Sequence, residues 1–285
     1  MRKIALLTCQ RLSNLFETDQ TLIPLFADKG FQAQPAIWND PTIDWRTFEA
    51  LVIRNTWDYY TQHDQFVAWL HKMRDNHIKL LNPPDVVLWN LHKFYLKTFQ
   101  QQGVAIIDTL FSSAIAPVML KEIVARGWEN IVIKPAISAG SYLTKTFQVS
   151  DMSENTLSDI VKDGDWLIQP FIPEIEVQGE LSMIFFNDTF SHAVVKVPKA
   201  GDFRVQRQYG GHYKLVDPGV SLIDMAEKII ACVGEPLLYA RVDGVVIRGV
   251  FHLMELELIE PDLYFEFGID IKKRFVNAVT DSLDR

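Results

Sequence analysis

Arg241-Val242-Asp243-Gly244-Val245-Val246-Ile247, then Arg248-Gly249, then Val250-Phe251-His252-Leu253-Met254-Glu255-Leu256-Glu257-Leu258, reads as two β-strands joined by a tight turn. From Leu253 to Leu258 the second strand alternates strictly, which sets Glu255 and Glu257 together on one face with apolar side chains on the other. Alone, that run is better explained as a half-solvated strand than as a cation site. The first strand changes the balance. A simple two-residue hairpin would pair Asp243 with Met254 and turn it away from Glu255. A three-residue turn or a bulge would pair Asp243 with Glu255 and leave Val242, Val246, Met254, Leu256 and Leu258 on the buried face. The apolar pattern prefers the second register. Three carboxylates on one face repel unless cations sit among them, and magnesium, with its oxygen preference and attached phosphates, fits best.

Outward from this ribbon, the N-terminal part alternates strands and helices. Lys3 to Thr8, Gln32 to Ile37, Ala50 to Arg54 and Ile78 to Leu81 read as strands, with helices from about Asp19 to Lys29 and near Gln65 to Asn76. Alternation of that kind implies a parallel sheet with right-handed crossovers. Pro83-Pro84 marks the end of this first domain. Beyond a helix around His92 to Gln101, strands pair as hairpins: Asn187-Asp188 separates Leu181 to Phe186 from Phe190 to Val197. The expected class is therefore α/β followed by α+β with antiparallel sheet.

Composition removes several functions. The chain has 285 residues with 28 basic against 36 acidic, a net charge of -8, which disfavours a general field for nucleic acid or anionic lipid. Apolar runs are too short for a membrane span or a signal-peptide core, so a cytoplasmic location is expected. Cys9 and Cys232 form no disulfide framework or zinc spacing. No two glycines stand two apart, so G-x-G-x-x-G is absent; G-x-S-x-G and H-E-x-x-H are absent too. Gly140 with Lys145-Thr146 lacks the second glycine of a P-loop.

Two further segments suit nucleotide chemistry. Ile131-Val132-Ile133-Lys134-Pro135 ends a buried-looking strand in a lysine, followed by the small-residue loop Ala136 to Ser141. A lysine at such an edge can meet phosphate oxygens while loop N–H groups cover them, although a solvated strand end reads equally well. Trp166 to Glu174 runs from a strand into an extended, proline-rich connection able to present backbone to an adenine edge, or to serve as an ordinary linker.

In this order the residues resemble the ATP-grasp superfamily, in particular the branch with prokaryotic glutathione synthetase and ribosomal-protein glutamate ligase. Arg54 to Tyr59 and the Leu256 to Pro261 run are similar to the branch that includes the cycloserine-forming cyclo-ligase. The resemblance implies a pre-ATP-grasp α/β domain over 1–88 and an ATP-grasp domain over 89–285, with a lid subdomain at about 112–168. It implies ATP and magnesium as cofactors, the magnesium as two ions at Asp243, Glu255 and Glu257. For the nucleotide it implies Lys93, Lys134, Ser138, Gly140, Ser141, Gln169, Pro170, Phe171, Ile172 and Glu174. Lys196 to Gln206, followed by Gly210-Gly211, is similar to the segment whose basic residues meet the triphosphate and the acyl phosphate; the catalytic cations the resemblance implies are Lys196 and Arg204 of that segment, together with Arg241. Glu257 stands where the family has asparagine, and the loop after Lys134 has fewer glycines than in most relatives.

The activity implied is ADP-forming ligation of a carboxylate to an amine through an acyl phosphate, on an amino-acid-like or peptide-like small molecule. Substrate contacts are expected at the ends of the first-domain strands, from Thr8 to Arg11 and at Arg54, Asn55, Thr56 and Asp58, with Trp57, Tyr59 and Tyr60 equally explicable as packing. A catalytically silent ATP-binding module and a small-molecule phosphotransferase are the competing readings. No nucleic acid or membrane partner is expected, and a homo-oligomer is left open.

Overall fold

The computed structural model describes residues 2–199, 204–205 and 207–284. Strands β1 (Arg2–Thr8), β2 (Phe31–Ile37), β3 (Ala50–Asn55) and β4 (Leu80–Leu81) form a parallel sheet in the order β2-β1-β3-β4. The crossover helix His63–Asp75 buries Phe66, Trp69, Leu70 and Met73, spaced three and four apart on one face. The single helix expected over Asp19 to Lys29 is two, Glu17–Gln20 and Leu22–Asp28. Pro24 sits in the first turn of the second, where its missing N–H costs no intrahelical bond. Pro84, read as part of a boundary, occupies the start of a helix, Pro84–Asn90, for the same reason.

A second sheet contains β5 (Leu110–Ser112), β6 (Asn130–Pro135), β7 (Lys145–Gln148) and β8 (Trp166–Pro170), antiparallel in the order β5-β8-β6-β7. It has its own core, including Ile123, Ile131, Ile133, Leu157 and Ile168. The third sheet is antiparallel, β11-β10-β9-β12-β13, from β9 (Glu180–Phe186), β10 (Thr189–Val197), β11 (His212–Val216), β12 (Tyr239–Ile247) and β13 (Val250–Glu257). The α/β half and the α+β remainder are both present. The C-terminal helix Ile269–Asp284 joins the first and third sheets: Phe275, Val276 and Val279 share a core with Ile4, Leu6 and Phe26 and with Ile184, Phe186 and Tyr239.

The register of β12 on β13 decides the chemistry. Arg241 pairs with Glu257, Val242 with Leu256 and Asp243 with Glu255; the ladder then slips, and Gly244 pairs with Leu253. Both features weighed from the sequence are present at once, a two-residue turn at Arg248-Gly249, where both residues have positive φ, and a bulge whose extra residue is Met254. One expectation is corrected by the bulge: Met254 lines the cavity described below, and Leu253, fully buried, takes the core position. Gly244 permits the slip. A Cβ there would lie 2.3 Å from Phe251 Cζ and 2.4 Å from the His252 carbonyl oxygen, so no side chain fits beside the bulged strand.

His192, on β10, is 7% accessible. Its Nε2 lies 3.1 Å from the Leu263 carbonyl and its Nδ1 3.0 Å from Ser191 Oγ, so the neutral Nε2–H form donates to the first and accepts from the second. Burial lowers its pKa to about 4. An unfolded chain takes up this proton near pH 6.5, whereas the folded one does not until near pH 4, so stability falls as the pH drops through that window. The loss is about 3 kcal/mol at most and stops growing below the folded pKa. Urea unfolding at pH 7 and pH 4.5 checks this: His192→Gln is expected to lose much less stability on acidification than the parent, and equal losses would contradict it.

Candidate active site

Period-two alternation puts Arg241 and Asp243 on one face of β12, and the register sets Glu257 and Glu255 opposite them on β13. On the other flank of β12, Ser182 of β9 pairs with Asp243, while Glu180 of β9 pairs with Lys196 of β10. The face they share is one wall of a cavity of about 840 Å³. The second sheet supplies the opposite side, with Lys134 at the end of β6 and Gln169, Pro170, Phe171 and Ile172 at the end of β8.

Each acidic group on the ribbon faces a cation. Lys134 Nζ donates to Glu255 Oε1 at 2.9 Å across the cavity, tying the second sheet to the third. Arg241 Nη2 donates to Asp243 Oδ2 at 2.9 Å and also to Glu257. Lys196 pairs with Glu180 and stands 3.5 Å from Asp243 Oδ1, which also accepts from the Ser182 hydroxyl. Lys93 Nζ donates to the Ser138 carbonyl at 2.6 Å and thereby pins the loop that follows Lys134.

The electrostatics are uneven. Burial alone would raise the Glu255 carboxyl, but Lys134 and Lys93 outweigh it and bring it down to about 2. Burial raises Glu257, Arg241 pulls it back, and repulsion from Asp243 and Glu255 leaves it at about 7. Burial, with repulsion from Glu257, pushes Glu260 up to about 8. Asp243 stays below the usual carboxylate range because Arg241 and Lys196 overcome its burial.

Asp243, Glu255 and Glu257 offer only oxygen donors, the chemistry a magnesium ion takes. Among the described residues no three acidic, histidine or cysteine side chains converge closely enough to ligate one ion, because these carboxylates are turned toward Arg241, Lys134 and Lys196. The donor set fits the metal, and its lysine and arginine partners are the groups a nucleotide's phosphates would engage instead.

Of the residues singled out in the sequence, Lys93, Lys134, Ser138, Gly140, Ser141, Gln169, Pro170, Phe171, Ile172, Lys196, Arg204, Arg241, Asp243, Glu255 and Glu257 all line this cavity. Ala200, Gly201, Asp202, Phe203 and Gln206 of the basic segment lie outside the described residues. Five of the expected residues are not brought to the cavity. Glu174 begins the short helix Glu174–Gln178 and is not among the lining residues; Ile175 is. Arg54, Asn55, Thr56 and Asp58 do not line the cavity either. Arg54 is 1% accessible and bonded to Asp19, Asn55 accepts from the Phe16 N–H, Thr56 is buried, and Asp58 accepts from Trp38 Nε1. Their neighbours Trp57, Tyr59 and Tyr60 line it instead, as does Arg11. Sequence reasoning also passed over Glu180 and Glu260 as site residues, and strand alternation from Glu180 to Ser182 could have placed the first.

The family model for the N-terminal domain of D-cycloserine synthetase DcsG matches residues 4–82. The cycloserine biosynthesis protein DcsG of Streptomyces lavendulae is 28% identical over 278 residues, covering 89% of this chain and 90% of that protein. A crystal structure of D-cycloserine synthetase DcsG superposes with a TM-score of 0.85 at 25% identity, covering 99% of each chain. The D-alanine–D-alanine ligase of Bacillus anthracis shares the fold, with a TM-score of 0.71 at 12% identity over 100% of this chain and 98% of that one. Among the described residues no helix is long and apolar enough to cross a membrane.

Proposed function

We infer that this chain is a member of the ATP-grasp superfamily and that its cavity activates the carboxylate of a small amino-acid-like molecule with ATP and passes it to an amine. It is an ATP-dependent carboxylate–amine ligase. The observation that carries the finer reading is the pairing of Asp243 with Glu255, which sets three carboxylates beside Lys134, Lys196 and Arg241 in one cavity.

A carboxylate is a poor electrophile, and ATP supplies the γ-phosphoryl group that makes it an acyl phosphate. The amine then attacks the acyl carbon, the C–N bond forms, and phosphate leaves with the C–O bond pair. Positioning and charge neutralisation are the chain's contribution. Asp243, Glu255 and Glu257 would hold magnesium, two ions in this reading, while Lys93, Lys134 and Lys196 would meet phosphate oxygens. Ser138, Gly140 and Ser141 would cover the phosphates, and Gln169 to Ile172 would flank the base. Arg204 and Arg241 would stabilise charge on the transferring group. Lys93, Lys134, Lys196 and Arg241 are buried and already bonded, and so are preorganised in a site of low dielectric.

Incubation with Mg-ATP and a panel of amino acids, following ADP, phosphate and product mass, tests the reading. ADP and phosphate are expected in equal amounts, only when substrate is present, with a product lighter by one water than its parts. Loss of water from one substrate alone would mean ring closure. Nucleotide binding with no turnover on any substrate would favour a silent module, and a product that keeps the phosphoryl group would favour a phosphotransferase.

A further inference from the structure

Beyond Glu257 the backbone leaves β13 and runs on without strand or helix to Tyr264, yet it is held at every step. The Leu258 carbonyl accepts from Asn82 Nδ2 at 2.8 Å, Ile259 from the Tyr239 hydroxyl at 2.7 Å, and Glu260 from Trp57 Nε1 at 3.2 Å. The Pro261 carbonyl accepts from Arg54 Nη2 at 3.2 Å and Asp262 from Arg241 Nη1 at 3.0 Å. Five successive carbonyls are thus taken by side chains, three from the first domain and two from β12. Irregular backbone anchored this fully presents its side chains in fixed directions.

What it presents is Glu260, which lines the cavity. Glu180, Asp243, Glu255 and Glu257 each have a lysine or arginine partner. Glu260 has none within ion-pair distance among the described residues: its own backbone N–H bonds it, and Lys93 and Arg241 act on it only from farther off. Trp57 touches its backbone, and Tyr59 and Tyr60 line the same cavity.

We propose that Glu260, in the same cavity wall as these aromatic residues, binds the ammonium group of the amino-acid-like substrate. A single carboxylate in a cavity lined by aromatic side chains suits an organic cation, which can gain both an ion pair and cation–π attraction. Magnesium, by contrast, demands about six oxygens in near-octahedral array. Half-buried at this cavity wall, the carboxylate has no ion-pair partner among the described residues, and a substrate ammonium would supply one. The inference rests on the ligase reading and adds the residue that selects amino acids over plain carboxylic acids.

Steady-state ADP release with D- and L-alanine and D- and L-serine, against propionate and lactate, each with hydroxylamine supplied as the common amine, tests it. Wild type is expected to use at least one amino acid with kcat/KM at least 100-fold above that for the des-amino acids. Glu260→Gln should raise the amino-acid KM by about 10- to 100-fold, with kcat within about threefold and the ATP KM unchanged, and Glu260→Asp should recover part of the loss. Retained thermal stabilisation by Mg-AMPPNP shows that the variant is folded with its nucleotide site intact. Equal use of des-amino acids would overturn the proposal while leaving the ligase reading in place, as would an unchanged amino-acid KM in Glu260→Gln. A raised magnesium requirement without a KM change would make Glu260 a metal ligand, again overturning it. Absence of turnover with every carboxylate would remove both.

Discussion

Asp243→Asn is expected to lower turnover by a hundredfold to a thousandfold while the protein remains folded, the loss typical when one electrostatic group of a preorganised site is removed. The carboxylate is 2% accessible and lies between Arg241, Lys196 and the Ser182 hydroxyl. Asparagine keeps its shape and can still accept from Ser182, so the change is chiefly one of charge. Glu180 and Glu257 remain to partner Lys196 and Arg241, which limits the structural damage. Turnover at saturating Mg-ATP, read beside a thermal melt, checks it. Activity within threefold of the parent would show that Asp243 is a structural counter-ion to Arg241 and nothing more.

The second large effect belongs to a residue outside the cavity. Arg54→Leu is expected to cost about 3–5 kcal/mol of stability, because it leaves the Asp19 carboxylate buried without its partner. Arg54 Nε donates to Asp19 Oδ1 at 2.6 Å, and the guanidinium lies 5.4 Å from the Phe265 ring, 5.5 Å from Phe275 and 5.7 Å from Tyr239. Asp19 is 3% accessible, so water cannot take over. The double variant Asp19→Leu/Arg54→Leu should recover much of the loss, since two apolar side chains leave no orphaned charge. Urea unfolding of the three variants measures both effects. A single-variant loss below about 1 kcal/mol would contradict the account of a buried, tightly coupled pair.

Asp243 and Arg54 show where sequence reading succeeds and where it stops. The face carrying Asp243, Glu255 and Glu257 was legible because strand alternation is local, and only one register kept the apolar residues of both strands in the core. Spacing left a bulge and a three-residue turn as alternatives and did not place the bulge: that depends on Phe251 and His252 approaching Gly244, a contact that no spacing rule encodes. Arg54 to Asp58 looked like a substrate loop because it mixes charge, amide and aromatic groups at a strand end. Arg54, Asn55 and Asp58 are instead bonded to Asp19, Phe16 and Trp38, partners far away in sequence, and Thr56 is buried. Glu260 stayed unseen as a binding residue for a similar reason. Its exposure to the cavity follows from five side chains that reach its loop from distant positions.

Anomalous diffraction from crystals grown with manganese and a non-hydrolysable ATP analogue addresses the metal assignment most directly. Peaks are expected within coordination distance of the Asp243, Glu255 and Glu257 oxygens, with Lys134 turned from Glu255 toward the phosphates. Metal bound elsewhere, with Lys134 still on Glu255 and Arg241 still on Glu257, would contradict the account.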